Sequence, residues 1–247
     1  MTFSDHFSRQ ARAYSLYRPH YPVELIEYLS TLTPEHELAW DCATGNGQVA
    51  RSLAQYFRCV KATDGSAEQI AHAVSHPGVE YSVGTAEQPE ISSGSVDLIT
   101  IAQALHWFDL ESFYAQVRRI LKPSGLVAAW CYGLCFVDER IDSVVRRLYE
   151  EVLGDFWPEG RLLVENLYSD IDFPFAAIAA PEFVMRAVWS CAEFVGYLSS
   201  WSAAQRYQEH DGTDPLALVE AELKADWGEG DRTVTWPLGL RLGRVEP

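Results

Sequence analysis

The run Asp41-Cys42-Ala43-Thr44-Gly45-Asn46-Gly47-Gln48 joins a short apolar segment to an amphipathic one through small residues and a single acid. Gly45 and Gly47 let backbone come close to a ligand where a Cβ would collide. A turn of this kind at the carboxyl end of a parallel strand opens on the crevice in which such sheets bind ligands. Asp64 follows Gly45 at close to the spacing of about 20 residues from which an acid accepts hydrogen bonds from a ribose diol.

Two ligands compete for this loop. Gly45-x-Gly47-x-x-Ala50 satisfies the dinucleotide fingerprint, whose helix N-terminus would receive a pyrophosphate, and that reading makes the chain an NAD-dependent oxidoreductase. Asp41 opposes it, because a carboxylate beside the loop repels a pyrophosphate and attracts a cation. S-adenosylmethionine has no phosphate, carries an ammonium and a sulfonium, and shares the adenosine that Asp64 would hold.

These residues need a frame. From Leu38 onward, short apolar runs alternate with amphipathic stretches, the rhythm of a parallel sheet covered by helices. Strands are expected at 38–43, 59–64, 79–83, 96–102 and 126–130. Helices are expected at 48–57, at 66–75 with Ser66 as N-cap, and at 110–121. Ser93-Gly94-Ser95 and Lys122-Pro123-Ser124-Gly125 mark turns. Further on, helices are expected at 138–153, 192–207 and 215–227, with strands at 183–189 and 233–242. The expected fold is α/β, Rossmann-like and doubly wound, with a mostly parallel seven-stranded sheet.

A single domain accounts for the whole chain, divided as 1–34 (two helices, with Phe3, Phe7, Ala11 and Tyr14 at helical spacing in the first), 35–132 (the ligand-binding core), 133–180 (an insertion over one end of the sheet) and 181–247 (elements completing the sheet). The net charge of −16, from 19 Lys plus Arg against 35 Asp plus Glu, disfavours nucleic acid and anionic bilayers as partners. With no secretory leader pattern and no membrane-length apolar stretch, a cytoplasmic protein is expected, monomeric or homodimeric. The five cysteines read as reduced thiols, and no zinc set is evident: His72 and His76 stand at i, i+4, but Pro77 follows and no third ligand is at hand. No G-x-S-x-G elbow, Walker loop or H-E-x-x-H is present, which removes the commonest hydrolase and phosphoryl-transfer readings.

Asp41-x-Ala43-x-Gly45-x-Gly47, Asp64, Gly84-Thr85-Ala86-Glu87, Val96-Asp97-Leu98-Ile99 and Arg119 to Leu126 resemble, in order, the motifs of class I S-adenosylmethionine-dependent methyltransferases. The resemblance covers about 38–130, and Ala43 departs from it, standing where the family usually has glycine. Tyr17-Arg18-Pro19-His20-Tyr21-Pro22 and Gln103-Ala104-Leu105-His106-Trp107-Phe108 are similar to segments of the small-molecule subgroup, methyltransferase type 11, which includes trans-aconitate methyltransferase-like enzymes. The resemblance implies S-adenosyl-L-methionine as cofactor, with S-adenosyl-L-homocysteine as product and no metal. Asp41, Ala43, Thr44, Gly45, Gly47 and Gln48 would hold the cofactor's amino-acid end and Asp64 its ribose. Thr85, Ala86 and Glu87 would lie by the adenine, and Gln103 and His106 at the end of the fourth strand. Residues 1–34 would fold back as a lid, bringing in Tyr14 and Arg18.

The acceptor would be a small organic molecule methylated on a carboxylate or hydroxyl oxygen, with Tyr17, Arg18, Tyr21, Trp107, Trp130 and Tyr132 as its candidate neighbours. Phe156, Trp157, Trp189 and Trp201 could also line its pocket, or pack in the core as large aromatics mostly do. A hydroxyl acceptor needs a base, for which His106 is the candidate; a carboxylate needs none and would want Arg18 as its partner. His106 could equally be a packing residue with one satisfied nitrogen, and Arg18 a surface cation. A non-catalytic module that only binds S-adenosylmethionine is a third reading.

Overall fold

A computed structural model of the chain describes residues 17–245. Helix α1 (Val23–Thr31) leads into strand β1 (Leu38–Cys42), helix α2 (Gln48–Leu53), β2 (Cys59–Asp64), α3 (Ala67–Ala71), β3 (Val79–Val83) and β4 (Val96–Ala102). A 3-10 turn at Leu105–Trp107, α4 (Leu110–Ile120) and β5 (Leu121–Tyr132) complete the first half. The second half holds α5 (Glu139–Arg146), continued by a π-turn, α6 (Arg161–Glu165), β6 (Ala176–Ala177), β7 (Val184–Trp189), α7 (Cys191–Ser199), α8 (Ser202–Asp211), α9 (Glu220–Trp227) and β8 (Arg232–Arg244).

The strands run in the order β3-β2-β1-β4-β5-β8-β6, with β7 also paired to β8. Pairs within β1 to β5 are parallel, and β8 is antiparallel to β5, β6 and β7. β4 is buried along nearly its whole length, as a strand covered on both faces must be, whereas β3 at the edge is largely exposed. Asp97 accepts the backbone N–H groups of Glu37 and Leu38, each at 2.9 Å, and so docks the start of β1 beside β4. Because the strand order reverses between β1 and β4, their carboxyl ends flank the crevice expected to bind ligand.

The fold is the expected Rossmann-like one, with several corrections. The sheet has eight strands: Ala176–Ala177, just after the packed Phe173-Pro174-Phe175 stretch, pairs with Gly243 and Arg244. β5 starts at Leu121, because Leu121 pairs with Val96 before the Lys122 to Gly125 turn is set aside as an irregularity and pairing resumes at Leu126. The helix expected at 192–207 is two, because the chain leaves helical geometry at Trp201 (ψ 138°). The 138–153 segment passes from α5 into the π-turn, and 215–227 begins as a 3-10 turn (Pro215–Leu218). α2 and α3 stop at Leu53 and Ala71, short of Phe57 and Ser75. Past α3, the carbonyl of Val74 accepts the Tyr81 hydroxyl, and Pro77 restrains the residue before it. The helix expected before Tyr14 lies outside the described residues.

Candidate active site

The loop after β1 is set by one buried acid. Asp41 is 1% exposed and accepts from the Thr44 hydroxyl at 2.5 Å and the Thr100 hydroxyl, on β4, at 2.7 Å. Burial pushes its carboxyl up to about 6, against the opposing pull of those hydroxyls. At the end of β2, Asp64 accepts the backbone N–H of Gly45 and of Ser66, each at 2.8 Å, so one carboxylate ties the loop to the start of α3. Ala43 and Gln103, at the carboxyl ends of β1 and β4, both have φ of 56°, left-handed backbone that costs a residue with a side chain energy. Two strained residues thus face each other across the reversal of strand order.

A solvent-open cleft lies above this loop. Arg18, Tyr21, Asp41, Ala43, Gly45 and Gln48 are among its walls. A second cleft shares Arg18 and Tyr132 with the first and continues past Gln103, His106 and Trp107 to Trp157, Arg161, Tyr197 and Trp201. Arg18 donates to the Tyr132 hydroxyl at 2.6 Å and to the Ser200 carbonyl at 3.1 Å, with its guanidinium over the Tyr197 ring. That hydrogen-bonded pair is the wall between the clefts.

His106 lies on the 3-10 turn after β4, with Nδ1 2.8 Å from the Tyr168 hydroxyl. Desolvation, with Arg161 adding repulsion, pushes the imidazole down to about 3. The ring is therefore neutral at pH 7. Tyr168 is fully buried, and its hydroxyl is the hydrogen-bond partner of Nδ1, which fixes the orientation of the ring.

Comparison with known proteins decides between the ligands. The family model described as "Methyltransferase domain" matches residues 40–129. A protein of Dictyostelium discoideum named as a methyltransferase is 34% identical over 253 residues, which takes in 99% of this chain and 96% of the relative. A solved structure from Anaeromyxobacter dehalogenans, described as a type II methyltransferase, superposes with a TM-score of 0.86 at 41% identity, covering 93% of this chain and 99% of that one. A protein of Saccharomyces cerevisiae named as an S-adenosylmethionine-dependent methyltransferase is 23% identical over 245 residues, 82% of each chain. The chain belongs to the methyltransferase family. It is an S-adenosylmethionine-dependent methyltransferase, and the dinucleotide reading is set aside.

The residues around the methyltransferase's first cleft fit that cofactor. A Cβ built on Gly45 would meet only Gln69 Oε1, at 4.0 Å, so the space before the loop is open. Gln69 is 4% exposed, and this oxygen accepts no hydrogen bond among the described residues. A buried acceptor left so costs about 1–3 kcal/mol, which a ligand's hydroxyl or ammonium would relieve. Asp64 and Gln69 lie behind the glycine loop and outside the lining of the first cleft, and together with the Asp41 carboxylate they make an acceptor-rich surrounding that suits a cationic, hydroxyl-bearing ligand. Gly47 has a different reason to be glycine than ligand approach: its φ is 81°, and a Cβ there would lie 2.2 Å from the Tyr81 hydroxyl.

The other expected site residues of the methyltransferase are spread around these clefts. Thr44 is buried beneath the loop through its bond to Asp41. Thr85 is exposed and Ala86 buried, while Glu87 accepts the Asp109 backbone N–H at the start of α4. Gln103 lines the second cleft, not the first, its Oε1 taking the Tyr132 N–H at 2.8 Å. Trp107, Tyr132, Trp157 and Trp201 line the second cleft and Tyr21 the first. Trp130 is fully buried, its ring against Tyr21, and lines neither. Trp189 packs on Trp236, Phe156 on Tyr207, and Tyr17 against Gly196. Tyr14 lies outside the described residues. Sequence reasoning did not single out Gln69, Arg161 or Tyr197; the available signals were a lone amide in the first turn of α3 and an arginine four residues after Trp157.

Proposed function

We propose that the enzyme methylates a carboxylate oxygen of a small organic acid held in the second cleft, while the cofactor occupies the first. The reading rests on one observation: the two clefts meet at the Arg18–Tyr132 hydrogen bond, so a methyl at the inner end of one cleft lies beside the contents of the other. The cofactor, when bound, supplies an electrophilic methyl carbon whose bond to sulfur breaks with the electron pair left on sulfur. Asp41 holds the cationic end of the cofactor, Asp64 and Gln69 its hydroxyls, and the aromatic walls of the second cleft exclude water. The acceptor oxygen forms the new C–O bond along the line of the one that breaks.

The choice of oxygen follows from His106. A ring held near pKa 3 is a weak proton acceptor, so a hydroxyl acceptor would find no effective base there. A carboxylate arrives without a proton and needs none removed.

The proposal keeps the chain as one domain, with 1–34 as a lid contributing Tyr14, Tyr17 and Arg18, 35–132 as the cofactor core, 133–180 as the cap and 181–247 completing the sheet. The enzyme acts in the cytoplasm as a monomer or homodimer, without metal or nucleic acid. Calorimetry with S-adenosylmethionine tests the first cleft: binding is expected, with loss on Asp64→Ala. Release of S-adenosylhomocysteine against a panel of organic acids tests the second. Turnover confined to alcohols or amines would refute the carboxylate assignment, and cofactor binding with no turnover on any acceptor would favour a non-catalytic module.

A further inference from the structure

In a chain with a net charge of −16, the second cleft is lined by no Asp or Glu and by two arginines, Arg18 and Arg161. The first cleft, by contrast, includes Asp41. The first cleft shares Arg18 but sets the Asp41 carboxylate against it, so the second cleft is the more cationic of the two and the better suited to an anion.

The two arginines are not equivalent. Both Nη groups of Arg18 are committed, one to Tyr132 and one to Ser200. Arg161 sits on α6, in the insertion, with its guanidinium 4.5 Å from the centroid of the Trp157 ring and 4.9 Å from that of Tyr149. Its Nε donates to the Tyr149 hydroxyl, which in turn donates to Glu165. Glu165 lies 3.7 Å from Nε and is outside the cleft lining. Neither Nη of Arg161 donates to another described residue. A guanidinium packed against the contacting Tyr149 and Trp157 rings, anchored by Nε and 18% exposed is pre-organised, and its two remaining nitrogens are the edge that grips a carboxylate bidentately.

Resting on the two-cleft reading above, we infer that Arg161 selects the acceptor: its Nη edge takes the carboxylate of a small organic acid whose flat apolar body lies among Trp107, Trp157 and Trp201. Acceptors without an anionic group are then disfavoured because the partly buried guanidinium edge gains no charged partner. This is a specificity role, separate from cofactor capture.

The test compares isosteres. Benzoate, cinnamate and indole-3-acetate are titrated against benzamide, cinnamamide and indole-3-acetamide by calorimetry in saturating S-adenosylhomocysteine, with S-adenosylmethionine titrated separately. Each acid is expected to bind about tenfold or more tighter than its amide, a preference that Arg161→Gln reduces to within about threefold while cofactor affinity stays within about twofold. Should Arg161→Gln lose its cooperative melt, Arg161→Lys takes its place, keeping the charge but not the fork; a severalfold smaller preference is expected. Equal binding of acids and amides by the parent enzyme, binding of neither, or a preference unchanged by the substitution that folds overturns the inference. Failure of cofactor binding with the acid preference intact would instead strike the functional reading and leave this one standing.

Discussion

Around the glycine loop, most of the cleft wall comes from the turn between β1 and α2, Asp41 to Val49, joined by Ala102 and Tyr132 from β4 and β5 and by Arg18 to Tyr21 from the segment before α1. Across the Arg18–Tyr132 hydrogen bond, the walls are side chains brought from the segment before α1, the ends of β4 and β5, the insertion and the α7–α8 junction. The first cleft is thus pre-organised by secondary structure and the second by packing of aromatics on arginines. Cofactor capture should therefore respond to backbone and burial, and acceptor choice to individual side chains.

The most damaging substitution should be in the first cleft. Gly47→Ala places a methyl 2.2 Å from the Tyr81 hydroxyl at a φ of 81°, so the Tyr81 ring must move and the backbone stays strained. A loss of about 2–4 kcal/mol in denaturant unfolding and of cofactor binding is expected. Gly45→Ala, in open space at a φ of 56°, should cost stability only about 1 kcal/mol while weakening the cofactor by direct obstruction. If the two variants behaved alike, the distinction between a glycine for packing and a glycine for ligand would fail.

The next effect is read by pH. Asp41 titrates near 6, so between pH 7 and pH 5 its carboxylate is neutralised, and affinity for the cationic cofactor should fall about tenfold. The stability of the free enzyme moves the other way: because burial raises the folded pKa above the ordinary carboxylate value of 3.8, ionisation is disfavoured in the native state, and stability falls as pH rises from about 4 to about 6. Asp41→Asn should flatten both curves, measured by calorimetry and by urea unfolding. A cofactor affinity independent of pH over this range would remove Asp41 from the ligand-binding set.

The same contrast explains what could be read from the sequence. Asp41, Gly45, Gly47 and Asp64 announce themselves because a parallel strand, a tight turn and a helix in succession impose residue types at fixed spacing, and five strands from β1 to β5 were legible for that reason. Arg161 and Tyr197 carry no such signature. Each sits in an ordinary amphipathic helix, and only the fold brings them to Tyr132. Trp130 shows the converse error, an aromatic beside the site by sequence that β5 turns into the core. Even the short β6 depends on the neighbouring end of β8, which no local pattern encodes.

Between the clefts, Tyr132→Phe removes the hydroxyl that accepts from Arg18 and leaves that guanidinium edge facing both ligands. A partly buried, charge-assisted bond of this kind contributes about 1.5–3 kcal/mol, and part of its loss should appear as weaker binding in both clefts. Double-mutant cycles with Arg18→Lys check this, since coupling is expected for residues in contact and near-additivity would mean that the wall is not a shared element.

The smallest effect sharpens the comparison most finely. Ala43 adopts a φ of 56° at the end of β1. Left-handed backbone costs an L-residue about 1–2 kcal/mol, whereas glycine adds about 0.4–1 kcal/mol of unfolded-state entropy, so Ala43→Gly should stabilise the enzyme by about 0.5–1 kcal/mol. Because Ala43 lines the first cleft alone, cofactor affinity should change by less than about threefold and acid-against-amide discrimination not at all. Denaturant unfolding and the paired titrations measure all three. If the substitution destabilised the protein, the methyl of Ala43 would be contributing packing that outweighs its strain, and the first cleft would depend on a side chain in the way the second one does.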